Sequence, residues 1–181
     1  QKIEHLNDDF YGKIKVDYWK LAIEKNFGIS VNVSEVYVVG KTDKAILKEM
    51  LAVKGVKNPE GEKLQRSLHT VGEIGSRFVR ENGIEAVQNS DKFVSASKQI
   101  TYVGLLTGNC RNRALAKIEM LGLTNYFSPV IGAFGDQADV RSDLVKIAMK
   151  DAEEKTGVKF EKQNVYLISD SVRDIWCAKE A

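Results

Sequence analysis

The chain has 181 residues, 43% of them hydrophobic and 29% charged, with 27 Lys+Arg against 25 Asp+Glu for a formal charge of +2. That balance excludes a nucleic-acid footprint carried by charge alone. No apolar run approaches the roughly 18 residues of a membrane-spanning helix, and Cys110 and Cys177 are too few for a disulfide framework or a zinc pattern. A cytoplasmic setting, without membrane or nucleic-acid partners, is the expectation.

The chain opens on Gln1 and closes on Ala178-Lys179-Glu180-Ala181, inside a helical pattern. Both ends read as those of a fragment, because a natural domain seldom stops inside an amphipathic segment without a cap or breaker. The first half reads helical. Val16, Trp19, Ile23 and Phe27 recur at three- and four-residue steps and mark one apolar face closing at Gly28. Thr42 can cap a second helix with Ile46, Met50 and Leu51 inward. After the turn Asn58-Pro59-Glu60-Gly61, the stripe Leu64, Leu68, Val71, Gly75 and Phe78 marks a third helix ending at Asn82-Gly83.

The period then changes. Asn89 to Gln99 is the most polar join, and the boundary between two units falls near its start. Three short apolar runs follow, Ile100–Leu106, Pro129–Phe134 and Val165–Ile168, each ahead of a helical pattern. Strand and helix alternating at a spacing of about 30 residues predict a parallel α/β sheet. Runs apolar on both faces suit a sheet covered by helices on both sides.

In open α/β sheets ligands sit at the carboxyl ends of the strands. Those ends carry Thr107-Gly108-Asn109, Gly135-Asp136, and Asp170 with Asp174 four residues on. A Thr-Gly-Asn turn into a helix offers a hydroxyl, backbone N–H groups and a positive dipole end, all suited to phosphate. Asp170 and Asp174 could share a hard cation such as Mg²⁺, and Arg141 could reach the same edge and neutralise phosphate charge. Other signals are weaker. Val38-Val-Gly-Lys-Thr42 ends like a P-loop but has Glu35 where the first glycine belongs. His5 and His69 are isolated, and Cys110 starts a helix with no His nearby in sequence.

Gly104-Leu-Leu-Thr-Gly-Asn109, Phe127 through Gly135-Asp136, Arg141-Ser-Asp-Leu144 and Ile168-Ser-Asp-Ser-Val-Arg-Asp-Ile175 resemble, in order, the later motifs of the haloacid dehalogenase superfamily. The resemblance covers about residues 13–181 and is closest to the phosphoglycolate-phosphatase-like branch. It implies a Rossmann-like parallel sheet core, residues 89–181 plus a missing N-terminal strand, cut short at the C-terminus. It also implies an inserted all-helical cap over residues 13–88, around Gly40-Lys-Thr-Asp43. The implied activity is Mg²⁺-dependent hydrolysis of a small, phosphoglycolate-like phosphomonoester through an aspartyl-phosphate.

Under that resemblance Thr107 hydrogen-bonds the transferring phosphoryl group, Gly108 and Asn109 shape the turn, and Arg141 replaces the family's more usual Lys. Asp170 and Asp174 hold Mg²⁺, and Lys41 contacts substrate from a cap loop. The chain departs from the pattern at Ser169, where the family usually has Gly, and above all in lacking the first motif, D-x-D on an apolar strand. With that strand absent, the strands ending at Thr107 and Ser169 are expected to face each other across a gap, and these residues alone to fold poorly. Hydrolysis is therefore an expectation for the intact parent protein. The alternative is a phosphate- or metal-binding module without a nucleophile, in a regulatory or scaffolding role.

Overall fold

The structure is a computed structural model that describes residues 17–169 and 172–180. Seven α-helices and two short strands follow one another among the described residues. Helix α1 spans Tyr18–Phe27; Asp17 caps it by accepting from the Lys20 N–H at 2.8 Å, and Gly28 ends it at φ 68°. Trp19 and Ile23 are buried on its inner face. Helix α2 spans Asp43–Val53 behind the Thr42 cap, whose hydroxyl accepts from the Ala45 N–H at 3.1 Å. Helix α3 spans Glu62–Asn82 and buries Leu64, Leu68, Val71 and Gly75; Val79 is buried beside them, and Phe78 is only half-buried. The three helices close on one another over a single apolar cluster that includes Val31, Ile46, Leu47 and Met50 and takes in Cys110 from the second half.

Helix α4, Ser90–Ile100, occupies the polar join and buries no residue. It also consumes Ile100, the first residue of the expected strand. Strand β1 is then only Leu105–Leu106; it pairs in parallel with β2, Gly132–Ala133, in the register Leu105 with Gly132 and Leu106 with Ala133. Helix α5, Arg111–Met120, follows β1, and α6, Asp143–Thr156, follows β2 and packs on both strands. Helix α7, Val172–Glu180, packs on α6.

The expectation of a Rossmann-like parallel sheet core is overturned. The described residues hold a mostly helical chain with a sheet of two strands, two residues each. The run Val165–Ile168 stays outside that sheet, with Tyr166 83% and Ile168 70% exposed. The physical reason is pairing. A run apolar on both faces becomes a strand only beside a neighbour that satisfies its backbone groups, and hydropathy does not supply the neighbour. Between β1 and Val165–Ile168 lies an apolar groove of about 480 Å³, floored by Val145, Ala148 and Met149 of α6.

The two halves meet where α3 runs along α5. A Cβ at Gly75 would lie 2.5 Å from Cδ of Arg113, so glycine there is what lets that side chain cross the interface. Among the described residues no helix is long and apolar enough to cross a membrane.

Candidate functional site

Thr107-Gly108-Asn109 leaves the carboxyl end of β1 as expected, the Thr107 N–H donating to Ala133 O at 3.1 Å. The backbone of Gly40-Lys41-Thr42-Asp43 then presses onto it. A Cβ on Gly108 would meet Lys41 O at 2.3 Å and Arg141 NH1 at 3.0 Å, and one on Gly135 would meet Gly108 O at 1.7 Å. No side chain fits at either position. Three main-chain bonds fix the approach: Asp43 N–H to Gly108 O at 2.7 Å, Lys44 N–H to Gly135 O at 2.9 Å, and Gly135 N–H to Asn109 O at 2.8 Å.

The sequence reading leaves backbone N–H groups at the start of α5 free for phosphate, and this is corrected. The Cys110 N–H donates to Asp43 Oδ2 at 2.6 Å and the Arg111 N–H to Asp136 Oδ1 at 3.0 Å. Two of the chain's own carboxylates already take these dipole-end donors. Asp43 is 1% exposed and also accepts from Trp19 Nε1 at 3.0 Å and from Arg113 at 3.4 Å. The same bookkeeping removes the P-loop, because the α2 donors of Asp43, Lys44 and Ala45 go to Gly108, Gly135 and Thr42.

Arg141 is held against this loop by Asp174. Its Nε donates to Asp174 Oδ1 at 2.5 Å and its NH2 to Oδ2 at 3.1 Å, a two-pronged pair with side chains 18% and 5% exposed. Ser169 Oγ donates to the same Oδ2. NH1 is left facing Gly108. An arginine fork gripped in this way points its remaining edge in a fixed direction.

Among the described residues the donor set does not fit Mg²⁺. Both Asp174 oxygens are engaged by an arginine and a hydroxyl, and a hard cation requires several free oxygen ligands. Among the described residues no group of three or more His, Cys, Asp or Glu is placed to hold a metal. Asp170 lies outside the described residues.

The structure thus brings Thr107, Gly108, Asn109, Arg141 and Asp174 together. Lys41 joins them by its carbonyl only; its ammonium turns away to Glu49 Oε2 at 2.5 Å and lies 5.6 Å from the Tyr37 ring centre. Burial, followed by the negative charge of Asp43, pushes the Cys110 thiol well up, which removes it as a nucleophile near neutral pH. His69 is exposed, 3.3 Å from Glu73. Sequence reasoning missed Asp43, Trp19, Arg113 and Lys117. A signal was present, since Asn109, Arg113 and Lys117 recur every four residues and so line one face from just ahead of α5 to its last turn. Compared with known protein families and with curated proteins, the chain matches none.

Proposed function

We propose that the chain recognises a small phosphomonoester at the carboxyl end of β1. It would be the recognition part of a haloacid-dehalogenase-type phosphatase acting on a phosphorylated metabolite in the cytoplasm. The observation that carries this reading is the Arg141 fork, gripped by Asp174 with NH1 turned to Gly108 beside the Thr107 turn. A guanidinium edge next to a hydroxyl and a glycine that leaves room for close approach suits a phosphoryl oxygen. The hydrolytic step needs a carboxylate to attack phosphorus, and the sequence contains no D-x-D to provide it. On this reading that step belongs to a strand outside these 181 residues.

A second reading, phosphate binding without chemistry, is favoured by one observation. Among the described residues the carboxylates nearest the loop are committed, Asp43 and Asp136 to α5 and Asp174 to Arg141. Both readings expect this chain to bind and not to turn over. Titration with inorganic phosphate, followed by NMR or calorimetry, is expected to show saturable binding with or without Mg²⁺. Thr107→Val is expected to weaken it about tenfold, the loss of one hydrogen bond to a charged group. Absence of saturable binding overturns the proposal. Phosphate release from p-nitrophenyl phosphate by this chain would contradict the assignment of the nucleophile to another strand.

A further inference from the structure

Asn109 stands between two cations and a hydroxyl. Its Oδ1 accepts from Arg113 Nε at 2.7 Å and from Lys117 Nζ at 3.0 Å. Its Nδ2 donates to Thr107 Oγ1 at 2.9 Å, and its backbone N–H reaches the same oxygen at 3.2 Å. Neither Arg nor Lys carries an acceptor, so the amide end that faces them must be the oxygen. The nitrogen end is thereby forced onto Thr107. With two donors on Oγ1, both lone pairs of the hydroxyl are used and what remains to it is one O–H donor.

We infer that Arg113 and Lys117, acting through Asn109, hold Thr107 as an outward hydrogen-bond donor to a phosphoryl oxygen. The inference deepens the phosphomonoester reading and rests on it. Arg113 and Lys117 are positioning residues and touch no ligand themselves.

The choice of residue at 109 supports this. A carboxylate facing two cations would be the stabilising solution, since it would add the attraction of opposite charges to bonds that the cationic donors already make strong. A carboxylate, however, would accept at both ends and draw the Thr107 proton inward. The chain keeps the amide and accepts a less favourable pair of cations. Burial, and next the Arg113 charge, pulls the Lys117 ammonium down from its ordinary pKa. Arg113 is itself fixed from several sides: its guanidinium lies 4.6 Å from the Tyr18 ring centre, its NH2 reaches Asp43, and its aliphatic stem passes the Gly75 gap. Its NH1 is buried with no hydrogen-bond partner among the described residues, so the fork's bonds go to Asn109 and, at longer range, to Asp43.

The test is a mutant cycle of Asn109→Asp with Thr107→Val, with inorganic phosphate as the probe, alongside NMR of the Asn109 side-chain amide. N109D is expected to melt no lower than the wild type, because Arg113 and Lys117 gain an ion pair. Its phosphate affinity is expected to fall about tenfold in the Thr107 background and only about threefold, the screened effect of the added charge, beside T107V. An equal loss in both backgrounds overturns the inference. Separately, the wild-type Asn109 amide protons are expected to exchange slowly with water, and faster in Lys117→Met, which keeps the shape and removes one cation. Exchange as fast as a free amide in the wild type overturns the inference without any use of phosphate. A protected amide in a wild type that binds no phosphate overturns the phosphomonoester reading, and leaves the orientation of Thr107 supported.

Discussion

The two halves of the chain solve the same problem with unequal success. In the first half fourteen buried apolar residues join one cluster, ten of them on α1–α3 and four, Val31, Val33, Val36 and Val38, on the segment between α1 and α2. After α4 the clusters are two of three buried residues each, one of Ile118, Leu123 and Phe127 and one of Ala133, Ala138 and Leu144, with Ile131 and Phe134 buried outside both. Large apolar side chains there stay in water: Tyr166 is 83% exposed, Ile168 70% and Trp176 65%. Helices satisfy their own backbones and need only a partner for one stripe. Strands depend on neighbours for hydrogen bonds as well as for burial. Among the described residues the first half therefore packs as one unit, while the sheet of the second rests on one short ladder.

The sharpest way to break that contrast is to cut equal volumes from each half. Leu64→Ala, at a fully buried position of α3, is expected to cost about 2–5 kcal/mol. Ile168→Ala, on the exposed rim of the groove, is expected to stay within about 0.5 kcal/mol of the wild type. Urea unfolding of both variants measures this, and similar costs would show that the second half packs as firmly as the first. Next in size is Gly135→Ala, which drives a methyl into the Gly108 carbonyl where the halves join. A loss of about 1–3 kcal/mol is expected, with weakened phosphate binding. A neutral result would mean that the strand-end loop is free to yield.

The smallest effect is a pH dependence. Burial raises the Cys110 thiol in the folded chain above its value in the unfolded one. That contribution to stability is present in full below the ordinary thiol value of about pH 8.5 and is lost as pH rises above it, because the unfolded chain then releases the proton first. Cys110→Ala is expected to flatten stability against pH between about 8.5 and 10, as followed by urea midpoints. An unchanged slope would remove Cys110 as its source.

The helical half was legible because its signals are local. Trp19 and Ile23 share a face at helical spacing, and Thr42 precedes the helix it caps. The runs at Ile100–Leu106 and Val165–Ile168 were legible as apolar and not as unpaired, since a neighbour across a sheet leaves no trace in one segment. Of the site, Thr107, Asn109, Arg141 and Asp174 could be read from their positions after apolar runs. The partners of those residues could not. Asp43 reaches Cys110 across 67 positions and Arg141 reaches Asp174 across 33, separations over which hydropathy carries no information. Lys41 meets the loop through its carbonyl, and its ammonium pairs with Glu49, a partner that its place in the chain did not announce.

The contact of Gly40–Asp43 with the strand-end loop also governs how a ligand could arrive. A lid must swing, and a swing of the helical half away from β1 would sever the Asp43–Gly108, Lys44–Gly135 and Asp43–Cys110 bonds together while bringing the buried Asp43 carboxylate into water. The main-chain staple makes that face a fixed wall. On the proposed reading, the group that would meet an anion there, Arg141, stands against Gly108 beside that wall and is itself held by Asp174.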